Sequence, residues 1–293
     1  MPSLPENLWR PAECFFDSFV AKAEEGRALL SQSKIAFVGL ARNCDGPLSG
    51  NLDRLAALAG QCGDWALHIE SNDCTDNTVQ VLIDFTKKHR KATFHHQFLG
   101  RQQMSTEFSG PRTIAMAEYR TACQRWIRDC AADSDFVVVI DFDQWGGWSD
   151  NGLMNGIGWL HSMPEASGMT SVSLFQYDWG VGPQWVQYDC WALRGLGQKN
   201  CYWDAYRNGA GSYAYQWLPP VGSPPVLLSS AFGGMAVYRT DDYLAGVYSG
   251  EEDCEHVTFH KSMAEATGRS LYICPSMRCV MSWMNNEERE TKE

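Results

Sequence analysis

The pattern of hydrophobic and polar positions divides the chain into short apolar runs and longer stretches with helical character. The runs Lys34–Leu40, 65–69 and 136–140 are largely apolar, a pattern typical of strands buried in a sheet. Between them, residues 48–62 and 79–89 are predicted to form helices. The alternation of strand, turn and helix predicts an α/β domain with a central sheet flanked by helices.

The same pattern predicts further elements along the chain. Helices are expected at residues 11–31, at 112–131, and from Gly146 toward His161. A last helix is expected from Gly250 to about Thr267, ended by Gly268. Further strands are predicted at 92–98, 170–177, Val226–Leu228, 232–239 and 271–274.

The segment 179–225 has no clear period and is rich in aromatic residues, Gly and Pro. A long irregular segment inside a compact domain is usually functional or mobile. It contains five of the chain's 12 tryptophans, whose large apolar faces with a polar edge suit sugars. We interpret the segment as a wall or lid of a binding site, although simple packing would explain any single Trp.

Two carboxylates, Asp141 and Asp143, follow the apolar run 136–140 with one residue between them. At the carboxyl end of a buried strand they would lie where open α/β sheets bind ligands. Neither is flanked by Lys or Arg in the sequence, and unpaired carboxylates this close repel each other. We therefore expect a divalent cation, Mn²⁺ or Mg²⁺, at this point; the alternative is an Asp pair that caps the strand in water.

Arginines and glycines that could contact an anionic ligand lie elsewhere in the chain. Arg112 stands at the start of a predicted helix and Arg120 lies two turns further on. The guanidinium group is well suited to phosphate, although surface ion pairs explain both residues equally well. Gly233 and Gly234 stand at the start of the predicted strand segment 232–239 and would allow a ligand or another backbone to come close.

Composition and charge limit the number of domains and the classes of binding partner that the chain can have. The 293 residues suit one large domain or two small ones. The net charge of −11, without a basic run, argues against nucleic acid or an anionic membrane as partner. No apolar run approaches the roughly 20 residues that span a bilayer, and the start of the chain lacks signal-peptide features. The 11 scattered cysteines indicate reduced thiols and a cytoplasmic protein.

The order of the motifs resembles that in GT-A glycosyltransferases. ARN follows the first strand, ESNDCTDNT the second, and then come the Arg-bearing helix, VVVIDFDQ, FGGMAVYR and GEEDCEHV. The chain is most similar to the CAP59/CMT1-type mannosyltransferases, whose ES-x-S-x-D-x-T and R-I-x-x-x-A-x-x-R motifs resemble residues 70–78 and 112–120. An acid-Cys helix that occurs late in that family resembles residues 253–255.

The resemblance implies a GT-A-type, Rossmann-like fold with a mixed central sheet flanked by helices. It also implies a single catalytic domain over residues 1–293. Residues 34–145 would form the half that binds the nucleotide sugar. Residues 146–280, including 179–225, would form the half that binds the acceptor.

The resemblance further implies roles for individual residues. Asp143 would bind the metal, Asp141 would contact the ribose or a metal-bound water, and His256 or His260 would be a third metal ligand. The nucleotide sugar would be contacted by Ala41, Arg42, Asn43, Glu70, Asn72, Asp76, Arg112, Arg120, Asp141, Phe142, Gly233 and Gly234.

Glu252, Asp253 and Glu255 lie in the region where many inverting GT-A enzymes carry a catalytic Glu-Asp pair. Three acids in the first turn of a helix also suit the helix dipole, without any catalytic role. Because the CAP59-type likeness suggests retention of configuration instead, the stereochemistry stays open at this point.

Three hypotheses follow. The first is a metal-dependent glycosyltransferase that uses a UDP- or GDP-sugar and a glycan or other hydroxyl acceptor. The second is a non-catalytic carbohydrate-binding protein, which explains the tryptophans but not the acidic turn and the Asp pair. The third is a metal-dependent nucleotidyltransferase or phosphohydrolase, which explains the acids but not the aromatic segment. The sequence does not define the oligomeric state.

Overall fold

The computed structural model of the chain describes residues 4–102, 110–197 and 213–284. The helices are α1 (Glu6–Trp9), α2 (Phe16–Leu30), α3 (Asp45–Ala59), α4 (Thr78–Lys88), α5 (Gly110–Cys130), α6 (Asp150–Ser162), α7 (Tyr213–Gln216), α8 (Thr240–Ala245) and α9 (Glu255–Thr267). The strands are β1 (Lys34–Leu40), β2 (Asp64–Asn72), β3 (Ala92–Gln97), β4 (Phe136–Asp141), β5 (Gly147–Trp148), β6 (Ala166–Tyr177), β7 (Gln184–Gln187), β8 (Val226–Leu228), β9 (Met235–Arg239) and β10 (Ser270–Ser282).

The described strands form one sheet in the order β3-β2-β1-β4-β9-β6-β10-β5, with β7 beside β6 and β8 beside β10. Strands β3, β2, β1 and β4 run parallel to one another. Strand β9 is antiparallel to both of its neighbours, and β6 and β10 are parallel. The predicted α/β fold with a mixed central sheet flanked by helices is confirmed.

Strand β4 shows why its sequence is a continuous apolar run. Phe136, Val138 and Ile140 belong to the core that the sheet forms with α2, α3, α4 and α6. Val137 and Val139 belong to the core on the other face, with α5, α8 and α9. Successive side chains of a strand point to opposite faces, so a strand covered by helices on both sides needs apolar residues at every position.

Most predicted elements are present with small shifts at their ends. Strands β1 and β8 have the predicted bounds, whereas the predicted helix 11–31 becomes α2, preceded by a short 3-10 turn. Helix α9 ends before Gly268, which has the left-handed conformation (φ 67°) expected of a helix-ending glycine.

Strand β10 departs from the prediction of a short strand at 271–274. The strand continues through Pro275 to Ser282. Its register with β6 shifts between Ile273 and Arg278, so Pro275 lies where the hydrogen-bond ladder is interrupted and its missing N–H is tolerated. Proline therefore did not end the strand here.

The segment 179–225 is not irregular throughout. Strand β7 pairs antiparallel with β6, and α7 lies further along; residues 198–212 are outside the described part.

The division into a donor half, 34–145, and an acceptor half, 146–280, stays a prediction. None of the described helices is both long and apolar enough to cross a membrane.

Candidate active site

The carboxyl ends of β1, β2 and β4 lie at the same end of the sheet because these strands run parallel. A pocket of about 290 Å³ opens there, in the position where open α/β sheets bind ligands. It brings together residues predicted from separate motifs, which are Ala41, Arg42, Glu70, Asn72, Arg112, Arg120, Asp141, Asp143, Gly234, Glu255 and His256.

One part of the lining, which we call the charged wall, consists of Glu70, Arg120, Asp141, Asp143 and Glu255. Arg120 is only 3% exposed. Its Nη2 donates to Asp141 Oδ1 at 3.2 Å, and its Nε donates to Glu255 Oε1 at 3.1 Å. Burial alone would lower the pKa of Arg120, but the two carboxylates raise it. Asp141 has no basic neighbour in the sequence, yet in the fold it is ion-paired, which corrects the expectation of two unpaired aspartates.

The two aspartates of the charged wall are costly to ionise. Burial raises the pKa of Asp141 to about 7 against the opposing effect of Arg120, and the charge of Asp143 contributes to the rise. Asp143 reaches solvent at the pocket, yet desolvation by the surrounding protein also raises its pKa. Desolvation disfavours the ionised form of a carboxyl group, and a nearby positive charge favours it. These residues therefore fit a hard cation, which would supply that charge.

Glu70 enters the pocket from β2 and is held by two histidines. Its Oε1 lies 3.0 Å from His68 Nε2, and its Oε2 lies 3.2 Å from His95 Nδ1. His68 stacks on Trp126 with ring centroids 5.0 Å apart, and its Nδ1 lies 2.9 Å from Thr93 Oγ1. The orientation of the Glu70 carboxylate is therefore fixed by its supporting side chains.

A second part of the lining comes largely from the segment 179–225. The guanidinium of Arg112 lies 5.3 Å from the ring centroid of Trp191, and that of Arg120 lies 4.7 Å from the ring centroid of Phe232, so cation–π contacts connect this part to α5. The aromatic wall consists of Tyr188, Asp189, Trp191, Ala192 and Phe232.

The sequence did not single out Asp189 or its neighbours. The aromatic content of 179–225 indicated a binding wall, but the absence of a period could not show which residues reach the pocket. Asp189 lies just beyond β7, where the pairing of β7 with β6 brings it to the pocket. The signal that could have found it is an acid between two aromatic residues, Tyr188 and Trp191, of which the first directly precedes it.

His256 lines the pocket without being part of a group of metal ligands. Its ring stacks on Phe232 with centroids 4.0 Å apart, and neither ring nitrogen has a hydrogen-bond partner among the described residues. Burial, and then the charge of Arg120, lower its pKa well below the ordinary value. Within 4–102, 110–197 and 213–284, no three His, Cys, Asp or Glu side chains are grouped so that they could hold a metal ion. Asp141, Asp143 and His256 are therefore not grouped as a metal site in this structure, and their role as metal ligands stays a prediction.

The three acids at the start of α9 separate in the structure. Glu255 lines the pocket, where it is paired with Arg120. Asp253 is turned toward Arg194, whose Nη2 donates to Asp253 Oδ1 at 2.8 Å. Glu252 is exposed and lies outside the pocket lining. Of the three predicted catalytic acids, only Glu255 reaches the pocket.

Asn43 and Asp76 support the loops beside the pocket rather than lining it. Asp76 accepts hydrogen bonds from the backbone N–H of Thr78 at 3.0 Å and of Asp45 at 3.1 Å. Asn43 has a positive φ of 47°, and its Oδ1 accepts from the N–H of Thr75 at 2.8 Å. Both residues tie the turn after β1 to the turn after β2.

The remaining predicted residues also lie outside the pocket lining. The side chain of Phe142 is fully buried in the core, and Gly233 lies next to the pocket residue Gly234 with a φ of 72°. Nδ1 of His260 lies 3.0 Å from Ser230 Oγ, and its Nε2 lies 2.8 Å from Tyr238 Oη. His260 therefore belongs to the core and not to a metal site.

Comparison with known proteins gives matches among solved structures. No protein-family model matches the chain, and no curated protein sequence does. GalNAc-T7, solved with UDP, GalNAc and Mn²⁺, matches with a TM-score of 0.50 at 9% identity, over 96% of this chain and 55% of that chain. The mannosyltransferase PcManGT from Pyrobaculum calidifontis, in complex with GDP-Man and Mn²⁺, gives 0.49 at 13% identity, over 91% and 65%. Glucosyl-3-phosphoglycerate synthase of M. tuberculosis gives 0.46 at 11% identity, over 94% and 77%.

The chain has a GT-A fold. In this GT-A chain the pocket lies at the carboxyl end of the parallel strands and contains the Asp141 and Asp143 pair. The chain spans 65% of the length of the mannosyltransferase and 55% of that of GalNAc-T7. At these identities the likeness concerns the fold, and the narrower resemblance to CAP59/CMT1-type mannosyltransferases stays a prediction.

Proposed function

We propose that the protein is a glycosyltransferase that moves a sugar from a UDP- or GDP-linked donor to a hydroxyl of a glycan or another acceptor. The observation that carries the proposal is the pocket in which Asp141, Asp143, Arg112 and Arg120 converge with aromatic side chains. Carboxylates with a cation, together with arginines, suit a diphosphate, and aromatic faces suit a sugar. GalNAc-T7, which shares the fold, was solved with UDP, GalNAc and Mn²⁺, and this supports the proposal.

Asp141 and Asp143 would hold the divalent cation, Mn²⁺ or Mg²⁺. Magnesium is usually bound through one or two carboxylates plus the phosphates of the substrate, so these aspartates suffice when a diphosphate is present. Burial raises the pKa of both carboxyl groups, although Arg120 contacts Asp141, so a bound cation would favour their ionised forms. When bound, the cation stabilises the negative charge on the departing nucleoside diphosphate.

Arg120 and Glu70 of the charged wall, together with Arg112, would position the donor. Arg120, fixed between Asp141 and Glu255, holds Asp141 in one orientation. Arg112 lies at the start of α5 and would contact phosphate oxygens. Glu70, held by its two histidines, would accept hydrogen bonds from the ribose hydroxyls.

Thermal unfolding with nucleotides tests the proposal. UDP or GDP should raise the melting temperature by several degrees when Mn²⁺ or Mg²⁺ is present, because a ligand that binds only the folded state stabilises it. The shift should be absent in EDTA and in Asp143→Asn. Asp53→Asn is the matched control, since Asp53 is exposed on α3 and outside the pocket, and it should keep the full shift. A screen of nucleotide sugars for hydrolysis or transfer then identifies the donor.

Other outcomes separate the alternatives. Stabilisation by free sugars, with no response to nucleotide and metal, would indicate a carbohydrate-binding protein. Release of phosphate from the nucleotide itself would indicate a phosphohydrolase. Either result contradicts the proposed transfer.

A further inference from the structure

The acids that line the pocket differ in their partners. Asp141 and Glu255 both contact Arg120, and Glu70 contacts two histidines. Asp143 is proposed to bind the cation. Asp189 lines the same pocket and makes no ion pair with any described residue.

The carboxylate of Asp189 is nevertheless held in a fixed orientation. Its Oδ2 accepts the backbone N–H of Gly233 at 2.9 Å, and its Oδ1 accepts that of Ala192 at 3.2 Å. Its own N–H donates to Ser173 Oγ at 3.0 Å. Each carboxylate oxygen can accept more than one hydrogen bond, so the group can still accept one from a substrate hydroxyl.

The surroundings of Asp189 match a hydroxyl-bearing substrate. The adjacent residue Tyr188 and the nearby Trp191 line the same pocket, and rings with a polar edge suit a sugar. Asp189 is itself partly exposed in the pocket. Burial raises its pKa, against the two backbone N–H groups that lower it, as suits a group that must take up a proton.

We propose that Asp189 is the general base that accepts the proton of the acceptor hydroxyl. This inference rests on the proposed glycosyltransferase function. As the acceptor oxygen forms its bond to the anomeric carbon, the O–H proton passes to the Asp189 carboxylate. The bond between the anomeric carbon and the phosphate oxygen breaks, and its electron pair leaves with the nucleoside diphosphate. A single displacement of this kind inverts the anomeric configuration.

The groups that act electrostatically on Asp189 are known from the structure. Arg120 favours its ionised form and Glu255 disfavours it. Asp141, Tyr188 and Cys254 also interact with its charge. Because the pKa values of Asp141, Tyr188 and Cys254 respond to the charge of Asp189, a shift of the pH profile would report on them as well, whereas loss of its acidic limb reports on Asp189.

The test uses the full chain with Mn²⁺, the donor from the nucleotide-sugar screen, and an accepted hydroxyl compound. We expect NMR of the first product formed by the wild type to show an inverted anomeric configuration. Asp189→Asn should lower kcat roughly 10²–10⁴-fold, leave the thermal shift with nucleotide and Mn²⁺ unchanged, and remove the acidic limb of the kcat profile. Asp53→Asn should keep the wild-type rate and profile.

A retained configuration would overturn the role of Asp189 and leave the glycosyltransferase proposal intact. The same holds if Asp189→Asn loses rate but keeps the acidic limb, which would make Asp189 a structural residue. If no donor yields any transfer while the nucleotide and metal still bind, both proposals fail. Because the stereochemistry is measured on the wild type, the inference can be rejected even if Asp189→Asn does not fold.

Discussion

The charged wall and the aromatic wall of the pocket hold their acids in different ways. In the charged wall, Asp141 and Glu255 both contact the guanidinium of Arg120. In the aromatic wall, Asp189 is held by backbone N–H groups and makes no ion pair with a described residue. Both arrangements favour the carboxylate form, but the first uses the charge of a side chain and the second only backbone N–H groups.

The difference suggests a division of labour. The charged wall contains four carboxylates and one arginine. It is therefore suited to an anionic ligand that binds together with a cation. The aromatic wall is suited to a neutral, hydroxyl-bearing ligand. Variants that disturb one wall should therefore have effects that the other wall does not share.

The largest effect is expected from Arg120→Met. Removing the guanidinium leaves Asp141 and Glu255 without their shared partner, and breaking a buried pair in this way costs about 3–5 kcal/mol. Urea unfolding measures the change in the free energy of unfolding. Arg128→Met, exposed on the same helix, should change it by less than about 0.5 kcal/mol. Equal losses in the two variants would show that Arg120 does not organise the charged wall.

Gly233→Ala should disturb the backbone of the aromatic wall. Gly233 has a φ of 72°, and an added Cβ would lie 2.1 Å from the carbonyl oxygen of Ser171. Strained backbone of this kind costs about 1–3 kcal/mol, and the displaced N–H would no longer hold Asp189. Gly180→Ala is the control, since Gly180 has a φ of 93° but open space around it. If both variants unfold at the same urea concentration, the collision with Ser171 is unimportant.

His260→Gln should reveal the pH dependence that a buried, neutral histidine behind the pocket gives to stability. Burial, and then Arg120, lower the pKa of His260 from 6.5 to about 3. The imidazole of His260 therefore binds a proton more strongly in the unfolded state than in the folded state. The contribution of neutral His260 to the free energy of unfolding is complete above pH 6.5 and is lost as the pH falls toward 3. His260 contributes at most about 1.4 kcal/mol per pH unit to the slope of the free energy of unfolding against pH.

The measurement is the free energy of unfolding at a series of acidic pH values. In His260→Gln it should fall less steeply with decreasing pH than in the wild type. Ser230→Ala removes one hydrogen-bond partner of the same ring and should lower stability by about 1 kcal/mol with the wild-type slope. An unchanged slope in His260→Gln would contradict a neutral, buried histidine.

The smallest effect is expected from Tyr188→Ala. Tyr188 is 47% exposed in the aromatic wall, so its loss should raise the KM for the acceptor about fivefold, which is roughly 1 kcal/mol. Nucleotide and Mn²⁺ should still give the full thermal shift. Phe16→Ala, at an exposed position of α2, should change neither quantity. A loss of nucleotide binding in Tyr188→Ala would mean that the two walls do not serve different ligands.

The sequence predicted best the parts whose structure follows from local pattern. The central strands β1 and β4 are continuous apolar runs covered by helices on both faces, and their positions were predicted to within a residue. Helix α5 follows from its apolar spacing. Asp141 and Asp143 could be placed at the pocket because they end such a strand.

The rest depends on contacts between distant parts of the chain. Arg120 and Glu255 are 135 positions apart, so no local pattern shows that they pair. Asp189 lies in a segment without a period and reaches the pocket only because β7 pairs with β6. Asp253 looked as favourable as Glu255 in the sequence, but Arg194 binds it away from the pocket lining.

A crystal structure of the protein grown with Mn²⁺ and UDP or GDP tests the central claim most directly. We expect anomalous density for Mn²⁺ beside Asp143, in contact with the diphosphate, and the nucleotide in the pocket that Glu70 and Arg112 line. A nucleotide bound elsewhere, or Asp141 and Asp143 both turned away from the metal and the phosphates, would contradict the account.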